Sequence, residues 1–89
     1  MARFIYRFEL VDRSGEIPIR PGAEIVHVGV KQGRPCLWIE QDVEAIGART
    51  LRWAILGTGQ EIPRGYEHLG TFLLNDGEFV WHVFRLPSE

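Results

Sequence analysis

Arg3-Phe4-Ile5-Tyr6-Arg7-Phe8-Glu9-Leu10 alternates without a break, with Phe4, Tyr6, Phe8 and Leu10 on one face of an extended chain and Arg3, Ile5, Arg7 and Glu9 on the other. Side chains of a strand repeat every two residues, so this is the pattern of a half-buried β-strand and not of a helix. It predicts aromatic side chains turned to a core and arginines turned outward.

The same reading extends down the chain. Val11-Asp12-Arg13-Ser14-Gly15 reads as a turn, residues 16–20 as a short extended piece and Pro21-Gly22 as a second turn. Residues 24–30 form a β-branched strand that a hairpin at Lys31-Gln32-Gly33-Arg34 joins to residues 35–41. In residues 41–48, Asp42 can cap a helix, but Gly47 stops it, so a loop with at most a short helix is expected. Strands follow over 49–56, 66–74 and 78–86, separated by Gly57-Thr58-Gly59, a Pro- and Gly-bearing loop over 60–65, and the hairpin turn Asn75-Asp76-Gly77. Trp38, Trp53 and Trp81 each lie in an apolar run and are expected to be spokes of one core.

The sum is an all-β fold: a small single-domain antiparallel sandwich or partly closed barrel of six to seven strands, occupying residues 1–89. In the last strand both faces are apolar, Phe79, Trp81 and Val83 on one and Val80, His82 and Phe84 on the other. Such a strand must be covered twice, so it lies centrally or meets a second copy, with Trp81, His82 and Phe84 as the expected interface of a homo-oligomer.

Charge and cysteine usage narrow the partners. The formal net charge of −2 lacks the positive field of a non-specific nucleic-acid binder, which puts that function third. One cysteine, Cys36, cannot form an internal disulfide, and the N-terminal stretch has no uninterrupted apolar segment; a cytoplasmic protein with no membrane span is expected. Nine of the ten basic residues are Arg, a composition suited to bidentate capture of phosphate or carboxylate. Gly57-Thr58-Gly59 can present backbone donors to an anion with Arg52 or Arg64 nearby, so Arg7, Arg52, Gly57, Thr58, Gly59 and Arg64 are the candidate ligand-binding residues.

Catalytic signals are weaker. Cys36 with His27, His68 or His82 supplies the residue types of a thiol–imidazole site, and Glu40, Asp42 and Glu44 those of a cation or acid–base site, but neither group has the spacing such chemistry uses. No catalytic residue, metal ligand or cofactor is therefore assigned. Arg and aromatic residues interleave at Arg3 to Phe8 and at Arg49-Thr50-Leu51-Arg52-Trp53, yet alternation separates them onto opposite faces, which argues against stacking on bases.

Ile5-Tyr6-Arg7-Phe8, Pro21-Gly22-Ala23-Glu24-Ile25-Val26-His27-Val28, Gly33-Arg34-Pro35-Cys36-Leu37-Trp38, Gly57-Thr58-Gly59 with Ile62-Pro63, and Leu69-Gly70-Thr71-Phe72 leading to Phe79-Val80-Trp81-His82-Val83-Phe84 together resemble a family of short proteins of tailed bacteriophages and prophages. That family has no assigned activity, so the resemblance implies no catalytic residues. It implies an accessory factor acting in the host cytoplasm on host machinery or host defence. The expected function is non-catalytic binding, either blocking a host protein or sequestering a phosphorylated small molecule. A small hydrolase or metal-dependent enzyme is the alternative.

Overall fold

Arg3–Glu9 forms the first of seven strands in the computed structural model, which describes residues 2–87. The others are β2 (Ser14–Ile19), β3 (Glu24–Lys31), β4 (Arg34–Asp42), β5 (Arg49–Gly57), β6 (Glu67–Leu74) and β7 (Phe79–Arg85), and the described residues contain no helix. They make two antiparallel sheets, one ordered β1-β4-β3 and the other β2-β5-β7-β6. The sheets face each other as a sandwich and do not close into a barrel, because β1 and β2 pair with nothing on their outer sides.

The turns form where residue chemistry allows positive φ. Gln32 (φ 54°) and Gly33 (φ 78°) make the two-residue link between Lys31 and Arg34, the geometry whose twist matches a hairpin. Asn75, Asp76 and Gly77 all take positive φ between β6 and β7. In the 42–48 loop, Asp42 Oδ1 accepts from the Glu44 amide at 2.9 Å, a turn in place of a helix start.

Alternation then decides the core. Leu37 and Ile39 of β4, Leu51 and Trp53 of β5, Phe72 of β6 and Val83 of β7 point between the sheets and are buried. Each such side chain contributes roughly 1.5–3 kcal/mol relative to exposure. Leu10, just beyond β1, and Ile17 of β2 extend this cluster toward the open edge.

Two expectations need correction. Phe4 and Tyr6 do lie on the inward face of β1, opposite Gln41 and Ile39, but they are 53% and 41% exposed. Period-two alternation reports which face a side chain takes and not whether a second layer reaches it. Here β1 is an edge, and between it and β2 runs an open groove of about 460 Å³ lined by Tyr6, Phe8, Pro18, Ile19 and Gln41. Trp38 is also not in the core. Leu37 and Ile39 hold the inward places of β4, so Trp38 lies on the outer face, its ring 5.1 Å from that of His27.

The opposite edge is closed by β3 packing on β6, and one glycine permits it. β6 bulges between His68 and Gly70, and a Cβ on Gly70 would lie 2.5 Å from Val28 Cγ2. Gly70→Ala is therefore expected to force β3 and β6 apart at a cost of about 1–3 kcal/mol. A melting temperature that falls by less than about 2 °C, where 1 kcal/mol shifts a domain of this size by about 4–8 °C, would show that the contact relaxes freely.

Candidate functional site

Two clusters of polar side chains stand out, one at each end of β5. The first arises because β2 and β7 both run antiparallel to β5: the end of β2, the start of β5 and the end of β7 meet at one end of the sandwich. The ladder extends past β7, with the Leu86 amide donating to Arg52 O at 2.8 Å. Just after β2, the Pro21-Gly22 turn is closed by the Ala23 amide on Arg20 O at 3.2 Å with Gly22 at φ 81°, and the Arg20 amide donates to the buried Gln41 Oε1 at 2.8 Å. These elements place Arg20, Arg49, Arg52 and Arg85 around one pocket of about 220 Å³, floored by Ile19, Leu51 and Leu86.

A guanidinium carries five N–H donors in a planar fork, which matches the oxygens of a phosphoryl or carboxylate group. Arg20 Nη1 donates to Ala45 O at 3.1 Å and Arg49 Nη1 to Ala48 O at 3.0 Å, both neutral carbonyls, and Arg52 Nη1 donates to Pro87 O at 3.3 Å among its contacts. Arg85 Nη1 lies 3.9 Å from Glu67 Oε1, while Arg85 Nε is buried and has no hydrogen-bond partner among the described residues. A buried N–H without an acceptor costs about 1–3 kcal/mol, so among the described residues Arg85 is held at a cost to the fold. Four positive groups around one small volume suit a phosphoryl or carboxylate group.

The second cluster lies on the outer face of the four-stranded sheet. His82 Nδ1 and Thr71 Oγ1 are 2.9 Å apart, His82 Nε2 and Thr58 Oγ1 3.0 Å, and His68 Nε2 and Thr71 Oγ1 3.2 Å, while Thr58 Oγ1 donates to Val80 O at 3.3 Å. One hydrogen assignment makes every bond: His68 Nε2–H to Thr71, Thr71 O–H to His82 Nδ1, His82 Nε2–H to Thr58, and Thr58 O–H to Val80 O. Beside this chain Leu56, Ile62, Phe84 and residues 57–60 enclose a mostly apolar pocket of about 270 Å³.

The residues singled out in the sequence are divided between these places. Gly57, Thr58, Gly59, His82 and Phe84 come together in the apolar pocket. Arg52 lies in the arginine pocket at the other end of β5, and Arg7 lies on the outer face of the other sheet, its Nη1 3.9 Å from Cys36 Sγ. Arg64 is exposed in the loop after β5. The expected nest at Gly57-Thr58-Gly59 is engaged by its own chain, because the Gly57 amide donates to Gln60 Oε1. Phe84 is buried under Tyr66 and His68, with ring centroids at 6.3 and 5.3 Å, so the second apolar face of β7 finds cover within the chain at that point. Trp81 faces inward, with Arg13 5.6 Å from its ring.

The catalytic candidates are likewise separated. Cys36 is completely buried on the β1-β4-β3 sheet; His27 shares that sheet, its ring 5.1 Å from that of Trp38, whereas His68 and His82 lie on the other sheet. Glu40 pairs with Arg3. Among the described residues no group of three or more His, Cys, Asp or Glu converges as a metal site. Arg20, Arg49 and Arg85 were not singled out in the sequence, although all three border strand ends, the one feature that could have pointed to them.

A family model described as a domain of unknown function, DUF7352, matches residues 1–89, and the chain belongs to that family. No curated protein and no solved structure matches the chain.

Proposed function

We propose that this DUF7352 protein is a non-catalytic binding protein whose ligand presents a phosphoryl or carboxylate group to Arg20, Arg49, Arg52 and Arg85. The observation that carries the reading is the convergence of four guanidinium-bearing residues, Arg20, Arg49, Arg52 and Arg85, on one small pocket. A phosphoryl group accepts from a guanidinium better than water does, since both partners are then charged and two parallel N–H···O bonds can form. The pocket of about 220 Å³ takes an anionic group or a small phosphorylated molecule, not a polymer.

The non-catalytic part of the reading is supported by the candidate nucleophile and base. Cys36 has no exposed surface for a substrate to reach. Both ring nitrogens of His82 are engaged by threonine hydroxyls, so it offers a substrate no lone pair unless the chain of bonds breaks. The ordered resemblance to short phage and prophage proteins supports an accessory role in the host cytoplasm, by sequestering a phosphorylated molecule or by blocking a host protein through an acidic or phosphorylated side chain.

Calorimetric titration with inorganic phosphate, pyrophosphate and nucleoside phosphates at constant ionic strength tests the site. Saturable binding is expected, weakened about tenfold by Arg49→Ala, which corresponds to ~1.4 kcal/mol, and unchanged by Arg7→Ala or Arg64→Ala. Equal loss from all three variants would point to unspecific charge attraction. Mass spectrometry of material co-purified from host cells then separates the roles: an intact small phosphate for sequestration, one host protein for blocking, a turned-over molecule for an enzyme.

A further inference from the structure

We propose that β1 is the self-pairing edge of the protein, and that two copies join their three-stranded sheets into one six-stranded sheet through antiparallel β1–β1 pairing centred on Tyr6. The inference is independent of the anion-binding reading.

An unpaired strand edge invites a further strand, and proteins normally blunt such edges with prolines, bulges or cover. Three of the four edges here are treated that way. β2 contains Pro18, β6 is bulged between His68 and Gly70, and β3 is bulged between Ile25 and His27 and packs on β6. β1 carries no such device. It has no proline or glycine, it pairs with β4 in unbroken register from Arg3 to Glu9, and its Phe4, Ile5 and Tyr6 are 53%, 58% and 41% exposed.

The hydrogen-bond parity of the free edge selects which residues can pair. Leu10 N donates to Pro35 O and Val43 N to Ala2 O, each at 2.9 Å, so the even-numbered residues of β1 spend their amides and carbonyls on β4. The amides and carbonyls of Arg3, Ile5, Arg7 and Glu9 therefore point to the open side. A two-fold axis at Tyr6 sets Arg3 opposite Glu9 of the second copy and Ile5 opposite Arg7, which pairs odd residues with odd residues as the free groups require. It offers roughly eight backbone hydrogen bonds, two for each of the four pairs. The neighbouring registers of the same parity fail on charge: an axis at Ile5 sets Arg3 against Arg7, and an axis at Arg7 sets Arg7 against itself.

Side chains agree with the same register. On the groove side it stacks Phe4 against Phe8 of the second copy and Tyr6 against its own mate, which covers the aromatic residues that β2 leaves bare. On the other side Arg3, paired with Glu40 in its own chain, meets Glu9, paired with Arg34, so the register joins two ion pairs of alternating sign. The strand thus reads as its own complement, and the interface is isologous, as a two-fold dimer demands.

Light scattering behind size exclusion at about 50 µM is expected to give twice the chain mass of 10.2 kDa. Ile5→Pro removes only an amide that faces the open edge, so it should return the protein to 10.2 kDa with an unchanged far-ultraviolet circular dichroism spectrum. Facing Tyr6 residues form a non-hydrogen-bonded pair with Cα atoms about 4.5 Å apart, within disulfide reach. Oxidised Tyr6→Cys should then run as a covalent dimer while Ile5→Cys, whose mate is offset by two residues, should not; the fully buried Cys36 does not compete. A 10.2 kDa mass for the unmodified protein, a dimer that survives Ile5→Pro, or cross-linking at position 5 in preference to position 6 overturns the proposal.

Discussion

Trp53→Ala is expected to remove about 3–5 kcal/mol of stability, the range for deleting a buried large aromatic side chain. A domain of 89 residues holds about 4–13 kcal/mol in total at ~0.05–0.15 kcal/mol per residue, so the variant is expected to lose from about a quarter to all of its stability. Trp53 is 4% exposed, sits on the strand between β2 and β7, and belongs to the cluster that includes Leu37, Leu51, Phe72 and Val83. Its indole also fills the space above Gly15, where a Cβ would come within 2.9 Å of Cζ2. The side chain is thus enclosed by both sheets and by the facing backbone, and the cavity left behind cannot collapse onto a flexible neighbour. Urea denaturation measures the loss. Trp38→Ala, on the outer face against His27, is expected to cost clearly less, and equal losses would show that the two tryptophans share one core after all.

That contrast marks how far the fold was legible. The alternation of residues 3–10, the hairpin at Gln32-Gly33 and the two-faced apolar run of β7 depend on neighbours along the chain or on one adjacent strand, and each appears as read, with β7 central in its sheet. What alternation cannot carry is the identity of the layer opposite. Phe4 and Tyr6 have the parity of core residues, and Trp38 has the composition of one, but the positions of β2 and of Leu37 and Ile39 decide their exposure. The site was less legible for the same reason. Gly57, Thr58, Gly59, His82 and Phe84 converge because β5 and β7 pair, although β6 stands between them in the chain, so the sheet order and not the sequence joins them. The arginine pocket draws on Arg20, Arg49, Arg52 and Arg85 from three strand ends and a turn, and only the sheet order β2-β5-β7 brings them together.

Arg85→Met is expected to separate stability from function, moving them in opposite directions. Among the described residues the Arg85 Nε is buried without an acceptor, and Glu67 Oε1 is 3.9 Å from Nη1 in a pair whose side chains are 39% and 65% exposed. Such an exposed pair contributes little, ~0–1 kcal/mol, whereas the orphaned donor costs about 1–3 kcal/mol. Methionine keeps the unbranched apolar stem that packs beside Leu86 and Leu51 and removes the donor. Thermal stability should therefore hold or rise by about 1 kcal/mol. If the pocket is an anion site, the same change deletes a charge-assisted donor and should weaken phosphate binding at least tenfold, ~1.4 kcal/mol or more. A structural arginine would behave otherwise: its loss would lower the melting temperature and leave phosphate binding where it was. Unfilled hydrogen-bonding capacity retained at a cost to the free protein is what distinguishes a binding residue from a packing residue, and phosphate titration beside a thermal melt on this one variant reads both.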